Sequence, residues 1–155
     1  MTITKGKTEI LTQTNGVAPL SGKALSELTE LVACCPVGLG ETIYASRVTD
    51  NIFLIEHQPA EIPGLHLGDL VETEGERVRS VIWRSQFRGF TVVIKSPEKT
   101  EKLMALLPRQ AMVRGIGKER FTLTVPRSDW GETRKIIRRE RIRIDPDWDD
   151  EDTFR

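Results

Sequence analysis

Four side chains of this 155-residue sequence are of the types that ligate soft metals or act as nucleophile and base: Cys34, Cys35, His57 and His66. A tetrahedral zinc site is not expected from them, because two adjacent cysteines do not readily face one ion and His57 follows Cys35 by 22 positions. A nucleophilic cysteine would need one of the histidines brought beside it by the fold. The pair reads instead as reduced, packed thiols near a helix end, and the histidines as loop residues. Gly115-Ile-Gly-Lys118 ends like a phosphate-binding loop, but that motif requires glycine where Met112 stands and Ser or Thr where Glu119 stands. A hairpin turn using the positive φ of two glycines accounts for the same residues. Asp69, after Gly68 and ahead of an apolar run, is the carboxylate to watch for acid–base work. Its simpler role is to close that turn by accepting backbone N–H groups. Asp145, Asp147 and Asp149 take the first, third and fifth places of a calcium loop, but Asp150 stands where that loop needs glycine. No metal and no cofactor is expected, and no catalytic residue is assigned.

The strongest chemical signal is basic. Arg134, Lys135, Arg138, Arg139, Arg141 and Arg143 crowd ten positions, and Arg114 and Arg120 precede them on a hairpin. Positions 134, 138 and 141 share one face of a helix for as long as the helix lasts, with 135 and 139 alongside. Guanidinium forks bind carboxylates and phosphates in pairs. Immediately after comes an acidic tail, in which Asp145, Asp147, Asp149, Asp150, Glu151 and Asp152 would regulate access to the basic face.

The formal charge of the chain is zero, yet its segments are far from neutral. Residues 41–76 hold one base against eight acids, 77–143 hold eighteen bases against six acids, and 144–155 hold one base against six acids. The apolar runs are too short to span a bilayer, and the N-terminus lacks the apolar core of a signal peptide, so a cytoplasmic protein without membrane contact is expected.

These residues must be carried by an α+β chain. Residues 1–20 read as a flexible leader with one added strand near 8–11, and residues 21–35 as a helix capped by Ser21 with Leu25, Leu28, Leu31 and Val32 on one side. From position 41 the period changes to two. Strands over 41–48, 51–58, 70–74 and 77–84, joined by short turns, predict a small antiparallel meander or barrel within residues 36–88. Residues 89–145 then alternate as β-α-β-β-α-β, the ferredoxin-like order. Pro97 opens the first helix, with Leu103, Leu106 and Leu107 on its inner face, and Ser128 or Asp129 caps the second, with Trp130, Ile136 and Ile137 inward. Residues 146–155 are expected to be disordered.

The stretches Glu41-Thr-Ile-Tyr-Ala-Ser-Arg-Val48, Asn51-Ile-Phe-Leu-Ile55, Ile62-Pro-Gly-Leu-His-Leu-Gly-Asp-Leu-Val71 and Phe90-Thr-Val-Val-Ile94 resemble the bacterial family grouped as domain of unknown function 4265. Its pattern of a proline loop, Gly-Asp, two apolar residues and an acid is matched by Pro63, Gly68, Asp69, Leu70, Val71 and Glu72. The resemblance covers about residues 41–145. It implies a fold and a bacterial origin, and brings no activity with it.

The function expected from these readings is non-enzymatic: a protein-interaction module of regulator, adaptor or immunity type that binds a protein partner by charge complementarity. Two alternatives stand beside it. One is a nucleic-acid binder using the Arg-rich second helix, and the other a small enzyme with a site between the two β units, lined by Asp69, His66 or the cysteines.

Overall fold

The computed structural model describes residues 2–4, 21–34 and 40–145. The architecture is mixed α+β, mostly strands, with two α-helices and a small closed five-stranded barrel. The expected leader strand near 8–11, Cys35 and the expected disordered tail at 146–155 lie outside the described residues. The first strand described, β1 (Thr2–Thr4), falls within the expected leader.

The barrel is built from β2 (Thr29–Cys34), β3 (Gly40–Thr49), β4 (Ile52–Ile55), β5 (Leu70–Glu74) and β6 (Arg77–Trp83). It contains the meander read from the sequence and one strand more. The helix expected over 21–35 is instead a single 3-10 turn at Leu25–Glu27 followed by β2. Leu31 and Ala33 alternate inward with no exposure, while Val32 between them faces out. The apolar spacing fitted both periods, and tertiary pairing decided between them: β2 pairs along β3 and meets β6 in parallel at Val32↔Arg77, which closes two strand edges that would otherwise stand open. Ser21 caps no helix; its N–H donates to Glu56 Oε1 at 2.7 Å. Leu31, Ile43, Phe53, Ile55 and Val71 fill the barrel, joined by Ile62 and Leu65 from the β4–β5 connection.

The second sheet runs β1, β8 (Met112–Gly117), β9 (Arg120–Pro126), β7 (Phe87–Val93) and β10 (Arg143–Ile144), every neighbour antiparallel. One of its faces carries α1 (Pro97–Leu106) and α2 (Trp130–Arg139). Phe90, Val92, Val113, Phe121, Leu123 and Val125 pack there with Leu103, Leu107, Ile136 and Ile137. Ser96 caps α1 by accepting from Lys99 N, ahead of Pro97. Leu106 is 37% exposed and leaves the apolar stripe that the spacing assigned to it. At α2 neither Ser128 nor Asp129 makes a side-chain cap; a 3-10 turn, Arg127–Asp129, leads straight into the helix. The β8–β9 turn also differs from expectation, since the left-handed residue is Glu119 at φ 66° and not a glycine.

The opposite face of this sheet meets the connection 56–69, most of which is buried between the sheet and the barrel. Thr91, Thr122 and Thr124 point that way, and Thr91 Oγ1 donates to Ala60 O at 2.7 Å. Gly89 is required here, because a Cβ would overlap Cδ and Oε1 of Gln58. That amide cannot swing aside at low cost: it is buried, Nε2 donates to Leu65 O at 3.1 Å, and Oε1 accepts from Leu67 N at 3.0 Å. Gly89→Ala should destabilise the fold by about 3 kcal/mol, the upper part of the usual overpacking cost. Combining it with Gln58→Ala should cost less than the two single losses added together. Gly131→Ala, where a Cβ meets nothing within 4 Å, should instead gain up to about 1 kcal/mol from helix propensity. Urea unfolding of the four variants measures all of this.

Candidate functional site

The two chemical features of the sequence lie on opposite sides of the second sheet. The titratable groups of the 56–69 connection sit in the seam with the barrel, and the basic cluster lies on the helical side.

In the seam, Asp69 is fully buried and its carboxylate is saturated. Oδ2 accepts from His66 N at 2.9 Å and from Arg84 Nη1 at 3.0 Å, and Oδ1 accepts from Ser85 N at 2.9 Å. Asp69 thus ties the start of β5 to the segment entering β7, the turn-closing role rather than an acid–base one. His66, 1% exposed, accepts from Gly89 N through Nδ1 at 3.0 Å. His57 accepts from Tyr44 N through Nε2 at 3.0 Å and packs against the Tyr44 ring at 5.7 Å between centroids. Both histidines lie in the irregular connection, as expected of loop residues, and both are buried. Cys34 ends β2 opposite Gly40, four positions along β3 from Tyr44, so the strand register does not bring it to His57. A hollow of about 530 Å³ opens beside Trp83, Arg84 and Phe87, but neither Asp69 nor His66 lines it. Among the described residues no group of His, Cys, Asp and Glu is placed to hold a metal ion.

The seam also claims two arginines that were expected on the binding surface. Arg114 is 6% exposed and its Nη2 donates to Gln58 O at 3.0 Å, because its place on β8 turns it toward the barrel. Arg120 pairs with Glu61 at 2.6 Å. Neither belongs to an open basic face.

The remaining six bases are all exposed. On α2, Thr133, Ile136 and Ile137 are buried while Arg134, Lys135, Arg138 and Arg139 are exposed, the outcome of a 3.6-residue period. The helix then ends in a Schellman turn. Ile142 N donates to Ile137 O at 3.1 Å, Arg141 N to Arg138 O at 3.1 Å, and Arg141 takes φ 55°. This reversal sets Arg141 and Arg143 beside the helix they follow. Glu140 is drawn away from the surface charge by Lys102 at 3.0 Å, and the Lys102 hydrogen bond holds its carboxyl below the ordinary range. Arg134 and Arg138 form no ion pair among the described residues. Together with Arg143 they rim a hollow of about 600 Å³ whose floor is Ile137, Ile142 and Ile144. A second hollow of about 310 Å³, on the other side of Ile142 and Arg143, is lined by Lys95, Lys99 and Arg141. The α2 cluster was legible from spacing. The apolar floor was not, since it depends on the turn at Arg141 folding Ile142 and Ile144 back beside Ile137.

No protein-family model matches the sequence, and no curated protein matches it. Among solved structures, the crystal structure of a hypothetical protein from Neisseria gonorrhoeae is similar, with a TM-score of 0.57 and 18% identity over 72% of this chain and 85% of that one. That likeness supports the fold alone. No helix among the described residues is long and apolar enough to cross a membrane.

The buried imidazole of His57 has a measurable consequence. Burial, and then the charge of Arg114, hold its pKa down at about 4, against 6.5 in an unfolded chain. The unfolded chain therefore takes up the proton first as pH falls. Stability is complete above about pH 6.5 and decreases toward pH 4, by about 3 kcal/mol in all from this group. His57→Gln, which keeps an acceptor for Tyr44 N, should flatten the pH dependence across that window in denaturant titrations at a series of pH values.

Proposed function

We propose that this chain is a non-enzymatic protein-interaction module, of the regulator, adaptor or immunity type, that binds an acidic protein partner on the α2–β10 face. The observation that carries this reading is the joining of exposed Arg134, Arg138 and Arg143 to an isoleucine floor in one hollow. An acidic segment with an apolar side chain would satisfy both halves, whereas a simple solvated helix needs no floor. Arg141 adds support. A left-handed residue at a helix end favours glycine, and an arginine there costs about 1 kcal/mol. A guanidinium is held at that position against the local preference.

Nucleic acid is the second reading, favoured by the number of guanidinium groups. The aromatic nearest this face argues the other way: Trp130 is committed to Phe90 at 4.8 Å and is covered by Arg88 at 4.6 Å, so it offers no stacking surface to a base. Residues 89–145 we read as a ferredoxin-like unit, on the strength of the order β7-α1-β8-β9-α2-β10 and the antiparallel neighbours β8-β9-β7-β10. The resemblance to domain of unknown function 4265 and a cytoplasmic location belong to the same proposal.

Affinity capture from lysate of the source cells tests the reading with two variants. Arg134→Glu combined with Arg138→Glu should lose a protein that wild type retains, and nuclease treatment should not release that protein. Arg141→Gly should gain about 1 kcal/mol of stability while capturing less, which separates binding from folding. Capture abolished by nuclease would overturn the reading in favour of nucleic acid.

A further inference from the structure

We propose that the hollow between α2 and β10 is the docking site for this chain's own residues 146–155, with Trp148 on the isoleucine floor and the flanking acids on the arginine rim. The inference rests on the reading of this face as a site for acidic partners and deepens it by naming a built-in competitor.

Three observations carry it. The described structure reaches Asp145, which itself lines the hollow, its N–H donating to Thr91 O at 2.9 Å and its carboxylate 3.5 Å from Arg143. The following sequence, Pro146-Asp-Trp-Asp-Asp-Glu-Asp152, is joined directly to a residue of the lining. Its composition is complementary to the lining. Five acids match in charge a rim of three arginines, and Trp148 matches in character a floor of Ile137, Ile142 and Ile144. Three residues of chain reach at most about 10 Å, so the hollow is within reach of Trp148 at an effective concentration in the millimolar range. No covalent step is involved. A partner must displace the tail, so the basic face is selective for sequences that pair acids with an apolar side chain better than 146–155 does, and bare polyanions compete poorly.

The test uses the full chain labelled with 5-fluorotryptophan, which gives three fluorine resonances, from Trp83, Trp130 and Trp148. Trp148→Phe assigns the third. At low salt the Trp148 resonance should lie away from its position in a synthetic peptide of residues 145–155. It should move to the peptide position in 1 M NaCl, where the screening length falls to about 3 Å. Arg134→Glu with Arg138→Glu should produce the same shift without salt, and so should the independent tail variant Asp147→Asn, Asp149→Asn, Asp150→Asn. The Trp130 resonance, fixed by its edge-to-face contact with Phe90, should not move in either and reports that the variants are folded. A Trp148 resonance already at the peptide position in wild type at low salt overturns the proposal. So does one displaced from it but unmoved by both sets of variants. Neither result bears on whether α2 captures a partner, which the capture experiment decides separately.

Discussion

Residues 56–69 pass between the barrel and the second sheet with little regular structure of their own, and a buried backbone without partners is among the costlier things a fold can contain. The surrounding side chains supply what a strand neighbour would. Asp69 takes the N–H groups of His66 and Ser85, Gln58 takes Leu67 N and serves Leu65 O, and Glu41 takes Ala60 N, Glu61 N and Ile62 N at 2.9, 2.7 and 3.3 Å. With those bonds made, Ile62 and Leu65 can enter the barrel interior and the sheet can lie on the other side. Barrel and sheet are thus joined by a polar layer and not by a second apolar core. Gly89 is part of this arrangement, since only a residue without Cβ lets β7 approach Gln58.

The layer also reorders the charges. Of the eight acids in 41–76, Glu56 and Asp69 are buried and Glu41 is spent on backbone N–H groups, so the acidic segment is much less acidic as a surface than as a sequence. Burial raises the Glu41 carboxyl and those three N–H donors oppose it, a balance that no count of charges along the chain reveals. Arg114 is consumed in the same way on the basic side. The six bases at 134–143 survive as surface charge because their element packs through Ile136, Ile137 and Ile142 and asks nothing of its arginines.

What could be read from the sequence follows this division. Where one periodicity served one face, as in β3 through β6, α1 and α2, elements were placed within a few residues and the exposed arginines with them. Around Leu25, Leu28, Leu31 and Val32, four apolar residues suited a helix as well as a strand, and the deciding fact, an open barrel edge between β3 and β6, lies elsewhere in the chain. The seam was invisible for a different reason. Gln58, Glu41 and Ser85 have the composition of ordinary surface positions, and their partners are up to 56 residues away in sequence. His57 and His66 read as loop residues, which they are, but burial of a loop leaves no periodic signal.

Placing the polar seam and the basic face on opposite sides of one sheet has a consequence for how the molecule can work. The seam needs every one of its bonds, so a partner that entered it would have to replace several buried backbone contacts at once, each worth about 1–3 kcal/mol when left unmade. The α2 side carries no such obligation. Its core contacts are complete beneath Ile136 and Ile137, and its ion pairs, Lys135 with Glu132, Arg139 with Glu140 and Arg143 with Asp145, lie at the exposed margins. On the proposed reading, side chains there exchange water for a ligand without disturbing the fold. A seam tied by buried hydrogen bonds beneath a face of exposed arginines is the arrangement on which the proposed recognition rests, and that proposal places the binding energy in a few arginines around an isoleucine floor instead of in the barrel that makes up much of the chain.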